Sequence, residues 1–263
     1  MADRVNRLAL ANWPRWAQPP RYPSYGPHVR LGLAWAAATM LATIAGAVAL
    51  ALVMAPVAAL AAAQAARSWR RRRRRAAAPV SAGGAGLMVI AAIFGLPAVA
   101  IVAVLVAGLL VVPRLIGARS RGQADSVLTG GIALAWGLAG AAPVLLRGDG
   151  FIPVFVLLSL VHVYDASAYV VGTGADGPWE GPAAGVVSIA AVTLAVAAVL
   201  SPPFRGASPW LFGLLAAALT PLGQIAASEL VGDRRARVPV VRRLDSLLVV
   251  GPVWALAAAF TLN

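Results

Sequence analysis

The run LGLAWAAATMLATIAGAVALALVMAPVAALAAAQAA, Leu31–Ala66, has no charged side chain in 36 residues. At about 1.5 Å per residue, one helix of that length far exceeds a hydrocarbon core of roughly 30 Å. Pro56 lies inside it, and a proline turns the residue before it away from helical geometry. The run therefore predicts two short helices joined as a hairpin and broken at Pro56, with one long tilted helix as the alternative.

The same pattern continues along the chain. Ala82–Val112 is again too long for one crossing and carries Gly95-Leu-Pro97 at its middle, which predicts a second pair broken at Pro97. Val127–Leu146, Phe151–Val171, Pro182–Leu200, Pro209–Ala227 and Leu247–Leu262 each have the length of one span. Pro113–Asp125 reads as a polar loop, Arg147–Gly150 as a tight turn, and Gly172–Pro178 as a glycine-rich loop. The fold class is all-α, a polytopic transmembrane helical protein of about nine spans, or eight if Leu31–Ala66 is one helix. Residues 1–30 form a Pro/Trp/Arg-rich cytoplasmic or interfacial head. Residues 31–263 form the transmembrane domain, with a basic loop at 67–80 and a catalytic-like half at 151–263.

Composition agrees. Hydrophobic residues make up 60% of the 263-residue chain and charged ones 12%, about half the charged share of a soluble domain. There is no cysteine, which excludes thiolate metal sites and disulfides. His28 and His162 are the only histidines, too few for a multi-histidine zinc centre. The net charge of +13 comes wholly from arginine. In a membrane protein such charge marks loops lying against anionic headgroups rather than nucleic acid. Fifteen arginines fall in loops on one side of the alternating spans, and only Arg147 and Arg205 in loops on the other. By the positive-inside rule the arginine-rich side, and the amino terminus with it, is cytoplasmic. Abundant alanine and the absence of lysine point to GC-rich coding and a multi-pass protein of a bacterial inner (plasma) membrane.

The acids are sparse, and six of the nine gather towards that same side: Asp165, Asp176, Glu180, Glu229, Asp233 and Asp245. Asp165 lies within a span, where an ionisable group costs at least ~2.5–3.5 kcal/mol at the centre and is by default functional. His162, Asp165 and Tyr169 share a helix face by spacing; a structural hydrogen bond or an Asp–Arg pair is the plainer reading. The stretch SELVGDRRARVPVVRRLDS, Ser228–Ser246, sets three acids and five arginines between two apolar runs. Carboxylates beside arginines suit a metal–triphosphate site, because Mg²⁺ takes one or two carboxylates plus phosphate oxygens and water. No Walker loop, Rossmann fingerprint or Ser–His–acid set is present.

These residues resemble the phosphatidate cytidylyltransferase (CDP-diacylglycerol synthase) family over roughly residues 80–263. Asp165-Ala-Ser-Ala-Tyr169 is similar to the family's Asp-(Thr/Ser)-Gly-Ala-Tyr segment, and Pro178-Trp179-Glu180-Gly181 to its Lys-Thr-Trp-Glu-Gly segment. Ser228, then Arg243-Leu244-Asp245-Ser246, resemble the two ends of the carboxy-terminal signature. Here that signature is about nine residues shorter and lacks the Gly-His-Gly-Gly turn, and Arg242 stands where the family has an Asp. The resemblance implies transfer of CMP from CTP to phosphatidate, giving CDP-diacylglycerol and pyrophosphate. It implies Mg²⁺, with a second cation left open, held by Asp165 and Asp245. Asp233 is the candidate replacement for the missing carboxylate. Glu180 joins Asp165 and Asp245 as a candidate catalytic residue. Ser228, Arg243, Tyr169 and Trp179 would line the substrate site, with Arg234 and Arg235 as helpers. The implied partners are CTP, phosphatidate and anionic membrane lipids, with no nucleic acid and a homodimer left open. Two other readings stand beside this one. The first is a catalytically altered relative acting in lipid binding or as an interaction subunit, which the trimmed signature favours. The second is a small ion-coupled transporter, which the gathering of acids at one face rather than the midplane disfavours.

Overall fold

The computed structural model describes residues 28–69, 76–115, 120–173, 175, 177, 179–232 and 238–262, with side chains except at 28–29 and 109–124. Residues 1–27 of the expected head, Arg70–Arg75 of the basic loop, and Asp233, Arg234 and Arg235 lie outside the described residues, while 28–30 of that head already belong to the first helix. What is described is helical, with no strand: α1 (His28–Ala45), α2 (Ala47–Ser68), α3 (Ala78–Ala91), α4 (Leu96–Leu115), α5 (Ser120–Asp149), α6 (Phe151–Gly172), α7 (Glu180–Val199), α8 (Ser208–Leu230) and α9 (Leu247–Thr261). Short 3₁₀ turns, Ala92–Phe94 and Val241–Arg243, precede α4 and α9. Among the described residues, six helical stretches are long and apolar enough to cross a membrane: those of α2, α5 (from Asp125), α6, α7, α8 and α9, the last taken from Val241. Arg30–Ala45, Ala78–Phe94 and Leu96–Gly108 are apolar but shorter. The described residues thus carry six full-length candidate spans, as expected of a helical membrane protein, and the nine-span reading depends on these three shorter helices.

The first apolar run does divide into two helices, but at Gly46 and not at Pro56. Gly46 takes φ +122°, outside right-handed helical geometry, whereas Pro56 sits inside α2. A proline in a membrane helix is tolerated where neighbouring helices re-satisfy the backbone; Pro143, Pro221 and Pro252 are likewise inside helices. The second break falls at Gly95 (φ +90°), with Pro97 in the first turn of α4. Pro113–Asp125 is not wholly loop, because α5 begins at Ser120. Nor is Arg147–Gly150 a separate turn: α5 runs through Asp149 and only Gly150 leaves the helix.

α5 is the hub, packing against α2, α3, α4, α6 and α9. Its Ile132, Ala133, Trp136 and Ala139 are buried, and a Cβ on Gly137 would strike Met88 of α3 and one on Gly140 would strike Val89 of α3 and Ala58 of α2, whose Ala51, Ala55, Ala58 and Ala62 are also buried. Lipid tails are as apolar as leucine, so membrane helices gain from close backbone approach through small residues. That accounts for the alanine richness of α2. α6 and α7 form the other large contact. A Cβ on Gly181 would lie 2.7 Å from the Ala168 carbonyl oxygen, and one on Gly185 would enter the Tyr164 ring.

Candidate active site

Hydrogen bonds between sequence-distant elements identify one end of the bundle. Where α2 ends, Ser68 Oγ accepts the Gly232 N–H at 2.9 Å and Trp69 Nε1 donates to the Leu230 carbonyl at 2.9 Å. Gln64 Oε1 accepts the Val240 N–H at 3.1 Å. The end of α2 therefore holds both flanks of the segment joining α8 to α9. At the opposite end, Arg147 Nε donates to the Thr43 carbonyl at 2.7 Å. That carbonyl has lost the helical partner it would have if α1 continued beyond Gly46.

The candidate site is built at the first end. Asp165 projects from α6 towards α8 and the start of α9. Its Oδ1 accepts from Ser246 Oγ and from Gln224 Nε2, the latter at 3.2 Å. Gln224 also donates to Ser246 Oγ at 3.0 Å, so three side chains from three helical elements close a small network. The approach depends on Gly223, where a Cβ would sit 2.6 Å from the Asp245 carbonyl oxygen. Asp245, Ser246 and Gln224 are all buried. Asp245 Oδ1 accepts the Ser246 N–H at 2.9 Å, and Oδ2 accepts Arg242 Nη1 at 3.2 Å. Ser228 Oγ donates to the Gln224 carbonyl at 2.9 Å and lies 3.4 Å from Arg242 Nη1. Arg243 interacts electrostatically with both carboxylates. Its guanidinium also lies against α1, where a Cβ on Gly32 would come within 3.3 Å of Nη1.

Asp165, Asp245, Ser228 and Arg243 are thus brought together. Glu180 is used elsewhere: it is exposed, and its Oε1 accepts the Gly177 N–H at 2.7 Å, tying down the turn before α7. Trp179, also exposed, precedes α7 as its N-cap residue. Tyr169 is half-buried one turn beyond Asp165. His162 does not join the carboxylates through its ring Nε2, which pairs with Thr39 Oγ1 of α1 at 2.9 Å. Among the described residues no three His, Asp or Glu side chains gather to hold a metal. Asp245, buried, and Asp165, half-buried, fit one Mg²⁺, which commonly takes one or two carboxylates and completes its shell with water and phosphate.

Sequence reasoning missed Gln224 and Ser246 as site residues, and α2's Gln64 and Trp69 as supports. A lone amide within an apolar span was the available signal for Gln224. Gln64 carries the same mark as the lone amide of Leu31–Ala66, but its partner, like that of Trp69, lies 160 residues and more away and is not readable locally.

Residues 28–237 match the family model described as the cytidylyltransferase family, and the chain belongs to that family. This supports the resemblance to the CDP-diacylglycerol synthases, and with it CTP-dependent nucleotidyl transfer in general. The match begins at α1, well before residue 80, and stops short of Arg242–Ser246. No curated protein and no solved structure matches the chain.

Proposed function

We propose that the protein transfers CMP from CTP to phosphatidate at the cytoplasmic face of a bacterial plasma membrane, giving CDP-diacylglycerol and pyrophosphate. The observation that carries this reading is the meeting of Asp165 and Asp245, 80 residues apart, beside Arg242 and Arg243 at one end of the bundle. A phosphate oxygen of phosphatidate attacks the α-phosphorus of CTP; the new P–O bond forms as the bond to the β-phosphate breaks and pyrophosphate leaves. Mg²⁺ bound by Asp165 and Asp245 would supply charge neutralisation on the triphosphate. Ser246 and Gln224 hold Asp165 in place, and Arg243 supplies fixed positive charge beside both acids. No covalent enzyme intermediate is required, since positioning and charge stabilisation supply the rate.

The test is formation of CDP-diacylglycerol by purified protein from CTP, phosphatidate and Mg²⁺. Product is expected from the parent chain and lost in Asp165→Asn with the fold intact by size-exclusion chromatography. No product from intact parent removes the reading. It would favour the second reading, a catalytically altered relative acting in lipid binding or as a subunit. The Arg242–Asp245 pair supports that second reading, because it occupies an oxygen a metal would use.

A further inference from the structure

Both oxygens of Asp245 have protein partners, and the two partners differ in how easily they leave. The Ser246 N–H on Oδ1 is main chain and belongs to the turn itself. Arg242 on Oδ2 is a side chain 44% exposed, against 5% for the Asp245 side chain. The carboxylate is fixed in the protein, while the guanidinium has a path to water. A buried carboxylate beside a second one is costly, and nearby positive charge offsets that cost. In the arrangement observed, Arg242 from the edge and Arg243 from the interior provide it. Arg243 is held between both acids and α1, whereas among the described residues Arg242 has, besides Asp245, a hydrogen bond to Ser228 at 3.4 Å.

The geometry points to Arg242 as a displaceable internal counter-ion of Asp245, competing with a divalent cation for Oδ2 and swinging outward when the cation binds. This rests on Asp165 and Asp245 being the cation's ligands, as proposed above, but not on the identity of the lipid acceptor. Its consequence is a site that keeps its acids neutralised when empty and releases a guanidinium towards the phosphates when filled. The cation requirement is thereby linked to the position of one exposed side chain.

The experiment measures Mn²⁺ binding to the detergent-solubilised full chain by loss of the free-ion EPR signal, without nucleotide or lipid. Arg242→Gln is expected to bind Mn²⁺ roughly fivefold more tightly than the parent, the upper range for a partly exposed pair. Arg242→Lys, which keeps the charge, should stay near the parent. In an Asp245→Asn background the gain from Arg242→Gln should vanish. Equal affinity of parent and Arg242→Gln overturns the inference, as does an equal gain in the Asp245→Asn background, which would mark a general charge effect. Absence of saturable binding in both parent and Arg242→Gln overturns it together with the assignment of the ligands. CDP-diacylglycerol formation by a parent whose Mn²⁺ affinity is indifferent to Arg242 overturns the counter-ion alone.

Discussion

The two ends of the bundle spend their polar side chains in different ways. Away from the site, polar groups serve the main chain. Arg147 satisfies the Thr43 carbonyl left open by the break at Gly46. Nearby, Trp254 donates to the Phe212 carbonyl from within a cluster with Phe204 and Phe212. At the site end, Asp165, Gln224, Ser246, Asp245, Arg242 and Ser228 bond largely to one another. Satisfying a carbonyl removes a cost of folding in an apolar medium. Holding two carboxylates together, Asp245 buried and Asp165 half-buried, adds a cost that helix ends do not require. The first pattern is explained by the fold, and the second needs a ligand or a reaction to explain it.

The most decisive way to break the comparison is to ask whether the two ends face different compartments. The chain has no cysteine, so Arg67→Cys at the end of α2 and Arg205→Cys before α8 each introduce a single thiol at an exposed position. In sealed vesicles of known orientation, a membrane-impermeant maleimide should label one variant fully and the other only after permeabilisation. Arg67→Cys should be the cytoplasmic one. Labelling of both from the same side would remove the two-ended picture and the cytoplasmic site with it.

Next in size is the effect of the amide that bridges Asp165 and Ser246. Gln224→Ala should lower turnover by about 10- to 100-fold, the range for outer-shell partners of metal-ligating residues. The fold and the KM for CTP should change little. Turnover close to the parent's would mean that the network at this end is structural, like that at the other.

The sequence made the all-helical class with membrane-length apolar helices legible, because apolar runs are local statistics. It also pointed to Asp165 and Asp245, since charge within or beside an apolar run is costly enough to stand out. Glu180 stood out for the same reason, yet its carboxylate ties down a local turn. A charge at a helix start serves equally well as a cap or as a site residue, and only the partner decides. The helix break was misplaced because Pro56 is the more familiar helix breaker. In a packed membrane helix the proline was accommodated, and Gly46 adopted the geometry that ends the helix. Gln64 and Trp69 were unreadable because an alanine-rich helix carries no mark of which distant backbone its few polar side chains reach.

Smaller effects separate stability from function. Arg147→Ala should lower stability by about 1–3 kcal/mol, the cost of a buried carbonyl left without a donor, read as a lower thermal midpoint in detergent with turnover per folded molecule unchanged. Loss of turnover at constant stability would contradict the division drawn between the ends. Smallest is Trp69→Phe, which keeps an aromatic ring beside Gly232 while replacing the indole by a smaller ring and removing the N–H donated to Leu230. An interhelical hydrogen bond of this kind contributes about 0.6 kcal/mol on average, or roughly threefold in an equilibrium. Trp69 contacts the segment between α8 and α9 at Leu230 and Gly232, so its effect should appear as faster hydrogen exchange at Val231 and Gly232. The accompanying fall in kcat/KM should be roughly threefold, while Mn²⁺ affinity stays at the parent's value. A changed Mn²⁺ affinity would mean that the α2 end sets the spacing of the acids themselves, and the support would then belong to the site.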